Sequence, residues 1–103
     1  MRFFVKVSVP IEAGNAGIKD GTLPKKIKSI LAEQKPEAAY FYEEDGKRTF
    51  AIFLDLRDVS QIPELAEPWF LGFNASVQFH PAMILADLEK AGPGIEKAVK
   101  KYS

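Results

Sequence analysis

The 103-residue chain contains no cysteine. Disulfides, thiolate nucleophiles, zinc ribbons and iron–sulfur clusters are therefore excluded from its chemistry. It has a single histidine, His80, so a histidine-rich metal site cannot form within one copy. Net charge is also lacking, because 14 basic residues balance 14 acidic ones. No overall field favours nucleic-acid phosphates or anionic lipid. Long apolar runs are missing too. The longest, such as Trp69 to Phe73, fall far short of the roughly 20 residues a membrane helix needs. Lys6 stands where a secretion signal would need an unbroken apolar stretch, so a cytoplasmic location is expected. Nothing in the sequence calls for a cofactor.

What remains is ordinary globular material, with 47% hydrophobic and 27% charged residues. The length suits one domain with one core. Residues 2–9 alternate, with Phe3, Val5, Val7 and Val9 on one side and Phe4, Lys6 and Ser8 on the other. That period of two predicts a strand, ended by Pro10. Residues 15–34 carry Ile18, Leu23, Ile27, Ile30 and Leu31 near helical spacing. Gly21 and Pro24 interrupt this helix, so that either Thr22 caps a fresh one or a longer helix kinks.

Ala38–Glu43 and Arg48–Leu56 read as strands around Asp45-Gly46, a strong hairpin signal. Asp58 or Ser60 can cap a following helix with the stripe Ile62, Leu65, Trp69 and Phe73, bent at Pro68 and ended at Asn74. Trp69 belongs to the core in this reading. Residues 75–80 predict a last strand, and two helical pieces follow at about 83–91 and 94–102, parted by Gly92-Pro93-Gly94. The order is β-α-β-β-α-β with a helical tail. This predicts an α+β fold of ferredoxin-like topology, an antiparallel sheet with two helices on one face.

The hairpin fixes which side chains share a face. A two-residue turn sets Tyr42 opposite Thr49, Phe41 opposite Phe50 and Ala39 opposite Ile52. Phe41, Ala39, Phe50, Ile52 and Leu54 then join the apolar residues of the first strand beneath the helices. The other face carries Phe4, Lys6, Tyr40, Tyr42, Phe53, Asp55, Gln78 and His80. A three-residue turn would reverse this parity. An outward sheet face is normally plainly polar, yet four large aromatic residues lie here. The face is expected to be covered by a second copy packed sheet to sheet, since closed homodimers dominate among oligomers. The alternative is that the C-terminal helices fold under their own sheet.

A resemblance supports the dimer. Ala66-Glu67-Pro68-Trp69-Phe70-Leu71, Asn74, Phe79-His80-Pro81-Ala82-Met83, Ala86-Asp87-Leu88 and Lys35-Pro36-Glu37-Ala38-Ala39-Tyr40-Phe41 together resemble a family of small bacterial proteins in the dimeric α+β barrel superfamily. The resemblance spans nearly the whole chain. It implies the fold and self-association, and it transfers no catalytic residue. The wider superfamily includes cofactor-free isomerases and monooxygenases.

Candidate chemistry therefore gathers on the second face. His80, Tyr40, Tyr42 and Lys6 are the acid–base candidates, with Phe4, Phe53, Asp55 and Gln78 as ligand contacts. Interface packing and local hydrogen bonding account for the same residues without catalysis. A His80–Asp55 dyad is not expected within one copy, because strand three is taken to run parallel to strand one and to set the two residues at opposite ends. Gly14-Asn15-Ala16-Gly17-Ile18-Lys19-Asp20-Gly21 follows a strand but fits neither phosphate-loop spacing, and reads as a flexible connection. The lysines at 25, 26 and 28, and at 97, 100 and 101, read as solvated helix faces. They lack the aromatic interleaving of single-strand binders. The function expected is a homodimer that binds a small apolar or aromatic molecule, or acts on one by proton transfer. Its rival is a dimerisation module with no ligand pocket.

Overall fold

The computed structural model describes residues 1–103. Four strands, β1 (Arg2–Ser8), β2 (Ala38–Glu44), β3 (Lys47–Asp55) and β4 (Ser76–Pro81), form one antiparallel sheet in the order β2-β3-β1-β4. Helices α1 (Ile11–Asp20) and α2 (Thr22–Gln34) connect β1 to β2. A 3₁₀ turn (Val59–Gln61) and α3 (Ile62–Phe73) connect β3 to β4. Two further helices follow, α4 (Leu85–Lys90) and α5 (Gly92–Tyr102). This is an α+β fold compatible with the ferredoxin-like order. No helix is long and apolar enough to cross a membrane.

The hairpin sets the sheet. Asp45 and Gly46 take φ of 55° and 74°, the left-handed pair that a two-residue turn between right-twisted strands requires. Glu44 meets Lys47, Tyr42 meets Thr49 and Phe41 meets Phe50, which is the expected register. The expected direction of β3 was wrong, however. The long crossover returns β2 parallel to β1, and the tight turn then reverses β3. Hence β3 runs antiparallel to β1, with Arg2 opposite Asp55 and Phe4 opposite Phe53.

Phe3, Val5, Val7 and Val9 pack with Phe50, Ile52 and Leu54 against Leu23 and Ile30 of α2 and Trp69 and Phe73 of α3. Trp69 is 1% exposed, stacks on Phe73 at 5.7 Å and leans on Phe50, so it is core as expected. Phe41 departs from the expectation. Its ring meets Phe50 edge-on, but it stays 55% exposed because β2 is the edge strand, with no strand beyond it to cover the ring.

The glycine-containing segment is helical where a loop was expected. Gly14 and Gly17 lie buried one turn apart on α1, and a Cβ on Gly17 would come within 2.8 Å of the Leu23 Cβ. Close approach of α1 to Leu23 of the next helix explains Gly17, while Gly14 lies against Arg48 and Val9. α1 ends at Gly21 (φ 77°) and α2 begins afresh, so the fresh-helix alternative holds. Its N-terminal hydrogen bonds come from Asp20 rather than Thr22. The Asp20 carboxylate accepts from both the amide and the hydroxyl of Thr22, which holds its pKa below the usual aspartate value.

At the next connection, Asp58 accepts from the Ser60 amide, while the Gln61 side chain accepts from the Asp58 amide. α3 continues through Pro68 to Asn74, whose φ of 53° closes it. Gly92-Pro93-Gly94 forms the first turn of α5 instead of a break, since proline at this position needs no amide hydrogen.

Candidate functional site

Alternation along β1, β2, β3 and β4 places all eight candidate residues on the face opposite α2 and α3. Seven of them, all but Asp55, fall into two clusters. In the first, Phe4 is stacked between Phe53 (5.4 Å) and His80 (5.7 Å), and Tyr40 meets Phe53 edge-on at 6.4 Å. Register produces this row, because Phe4 pairs with Phe53 on one side and with His80 on the other. The His80 Nε2 lies 3.3 Å from Gln78 Oε1, two residues along the same strand.

In the second cluster, the Lys6 ammonium donates to Glu44, and the Tyr42 hydroxyl donates to the same carboxylate at 3.1 Å. β3 lies between β1 and β2, so the Lys6–Glu44 bridge crosses it beside Thr49. This accounts for the burial of Thr49 (1% exposed) on a face that is otherwise open. The hydrogen bond from Lys6, seconded by that from Tyr42, holds the Glu44 carboxyl below its ordinary pKa. The Glu44 bond in turn raises Lys6. Desolvation first, and then the bond to Glu44, raises Tyr42. Glu44 was absent from the candidate set. Its position two residues beyond Tyr42 on β2 puts it on this face, which was the available signal.

The dyad argument needs correction. With β3 antiparallel to β1, Asp55 pairs with Arg2 and His80 with Phe4, so both lie at the same end of β1 and on the same face. Even so, Asp55 is engaged elsewhere. It accepts from the Met1 amino group at 2.9 Å, and that bond depresses its pKa. Arg2 is held by Glu37 at 2.8 Å.

The clefts of the chain do not centre on this face. One of about 260 Å³ lies between the α1–α2 corner and the end of α3, where Lys26 reaches the Gly72 carbonyl. Another of about 450 Å³ lies past the ring row, among Arg2, Asp55, Pro81 and Asp87. No group of three or more histidine, aspartate or glutamate side chains is placed to hold a metal ion. The face is thus a row of rings beside a closed polar cluster. Tyr40 is 62% and Tyr42 40% exposed in the single copy. Neither α4 nor α5 contributes a buried residue, so the C-terminal helices do not fold under their own sheet.

No family model matches the chain, and no curated protein matches it. Among solved structures, it is similar to a formyltetrahydrofolate deformylase from Pseudomonas putida KT2440. The identity is 13% and the TM-score 0.48, over 80% of this chain and 29% of the deformylase chain, so the chain spans under a third of that protein. It is also similar to the de novo designed protein Ferredog-Diesel, at 8% identity and TM-score 0.46, over 79% of this chain and 85% of the design.

Proposed function

We propose that the protein is a self-associating module, and that the second sheet face is where two copies meet. The observation that carries this reading is the ring row Phe53–Phe4–His80 with Tyr40. It presents aromatic surface to water, while the polar groups beside it satisfy one another. Stacked rings are strong contact surface, and water gains nothing from them. A catalytic cluster, in contrast, needs groups poised near neutral pH. Lys6 and Tyr42 are shifted away from it, which holds both protonated. A cytoplasmic setting is part of this proposal, and direct packing of the two faces would make the pair a dimeric α+β barrel. Light scattering on the wild type and on Tyr40→Glu tests it. A dimer lost in the variant is expected, and a wild-type monomer at high concentration would end the proposal.

A second reading, a small aromatic or apolar ligand, draws on one feature. The ring row ends near the 450 Å³ cleft that holds Arg2 and Asp55. A flat ligand could stack on the row with a polar end toward Arg2. If the site is catalytic, His80 and Tyr40 are the groups left to move a proton. Thermal-shift screening with small aromatic acids and lactones checks this. A stabilising compound whose effect is lost in His80→Ala supports it, and no stabilisation by any of them counts against it.

A further inference from the structure

The chain carries a second bare apolar surface, and it complements the first. After β4 the backbone stays in register for one more residue, where the Ala82 amide donates to the Arg2 carbonyl. It then forms α4 and α5, which are almost one helix. The Ala91 amide bonds back to the Asp87 carbonyl, and the Ile95 amide to the Ala91 carbonyl. Eighteen residues from Leu85 to Tyr102 make an arm of about 27 Å. Leu88, Ile95, Val99 and Tyr102 fall on one stripe and are 50% to 79% exposed. No residue of the arm is buried. The molecule extends 59 Å, and its radius of gyration is 17.3 Å where a compact chain of this length would have about 13 Å.

Helices this short are marginal in water without tertiary packing, so the arm requires a surface to lie on. Building on the self-association proposed above, we infer that the arm of each copy lies across the second sheet face of the other. Sheet-to-sheet packing would cover the rings and leave the arm stripe bare. Pairing of two arms would do the reverse. Reciprocal arm exchange covers both surfaces with one two-fold arrangement.

The dimensions agree. Seven-residue strands are about 23 Å long and four strands span about 14 Å, so the diagonal of the face matches the arm. A strip of about 27 by 10 Å, counted on both partners and in both reciprocal contacts, is on the order of 1,000 Å², the lower bound for a specific interface.

The test is sedimentation equilibrium of the full chain, comparing the wild type with Ile95→Glu/Val99→Glu and with Tyr40→Glu. All three positions are exposed in one copy, so circular dichroism should show the fold retained. The expected result is a wild-type dimer, with the dissociation constant raised at least about 100-fold by either the arm or the face variant, since each change counts twice in a two-fold assembly. Amides of α5 should be protected from hydrogen exchange in the dimer and lose protection in Tyr40→Glu. An arm variant that dimerises as tightly as the wild type overturns the exchange and leaves self-association standing. A wild-type monomer overturns both.

Discussion

Ile52 and Phe53 are neighbours on β3 that face opposite ways and carry different energetic roles. Ile52 is 0% exposed at the centre of the core. Truncation to alanine removes buried methyl groups and leaves a cavity, which costs about 2–5 kcal/mol. At about 4–8 °C per kcal/mol for a domain near this size, even the low end lowers the melting temperature by roughly 8–16 °C. That loss should be the same at every protein concentration, because the core belongs to one copy. Phe53→Ala removes the stack on Phe4 and the edge contact with Tyr40, worth about 0.5–1.5 kcal/mol each beyond area burial, on a face open to solvent in the single copy. Its larger cost should appear as weakened association. For the wild type, each tenfold rise in concentration should add about 1.4 kcal/mol of stability per dimer where the dimer dominates, a dependence that Phe53→Ala should weaken or abolish. Urea unfolding at two concentrations a hundredfold apart reads both effects. A Phe53→Ala loss as large as that of Ile52→Ala, with no concentration dependence in the wild type, would refute the assignment of faces.

Three further outcomes are expected. Gly17→Ala should destabilise by up to about 2 kcal/mol in thermal unfolding. The added Cβ meets the Leu23 Cβ at 2.8 Å, and an overpacking cost of about 1–3 kcal/mol is set against a helix-propensity gain of about 1 kcal/mol. Gly46→Ala has open space around the new Cβ, yet its φ of 74° should still cost about 1–2 kcal/mol, whereas Gly92→Ala, with no such backbone, should not. Glu44→Gln should melt below the wild type at neutral pH. The folded carboxyl titrates below its unfolded value, so its contribution is complete above the ordinary glutamate range and fades as pH falls through the folded value. The gap between the two proteins should therefore begin to narrow as pH falls below the ordinary glutamate range, about pH 4, and close below the folded value. Lys6 has the opposite sign, and its contribution fades only as pH rises through a value above the usual lysine range.

The sheet was legible because its signals are local. Alternation in residues 2–9 and the Asp45-Gly46 turn fix strand, register and face with no knowledge of the rest of the chain. The direction of β3 was missed, since it depends on how the crossover and the hairpin combine, a relation between elements rather than a pattern within one. The extent of α1 was also missed: a helix was read from residue 15, but Gly14 to Gly21 was read as a flexible connection and the start at Ile11 was not seen. Glycine argues for a loop in sequence, while Gly14 and Gly17 serve close packing against Arg48, Val9 and Leu23 that only the folded chain reveals. At the site, period two gathered Tyr40, Phe53, Phe4 and His80 onto one face. The Lys6–Glu44 bridge escaped notice because it spans a strand, joining residues 38 apart in the chain. The helical arm was visible as an apolar stripe, but where it points is not written in its periodicity.

The most direct test is sedimentation equilibrium of the unmodified protein from micromolar to millimolar concentration. A monomer–dimer equilibrium is expected, with the dimer dominant at the upper end. A single species at the mass of one chain, 11.5 kDa, throughout that range would contradict it.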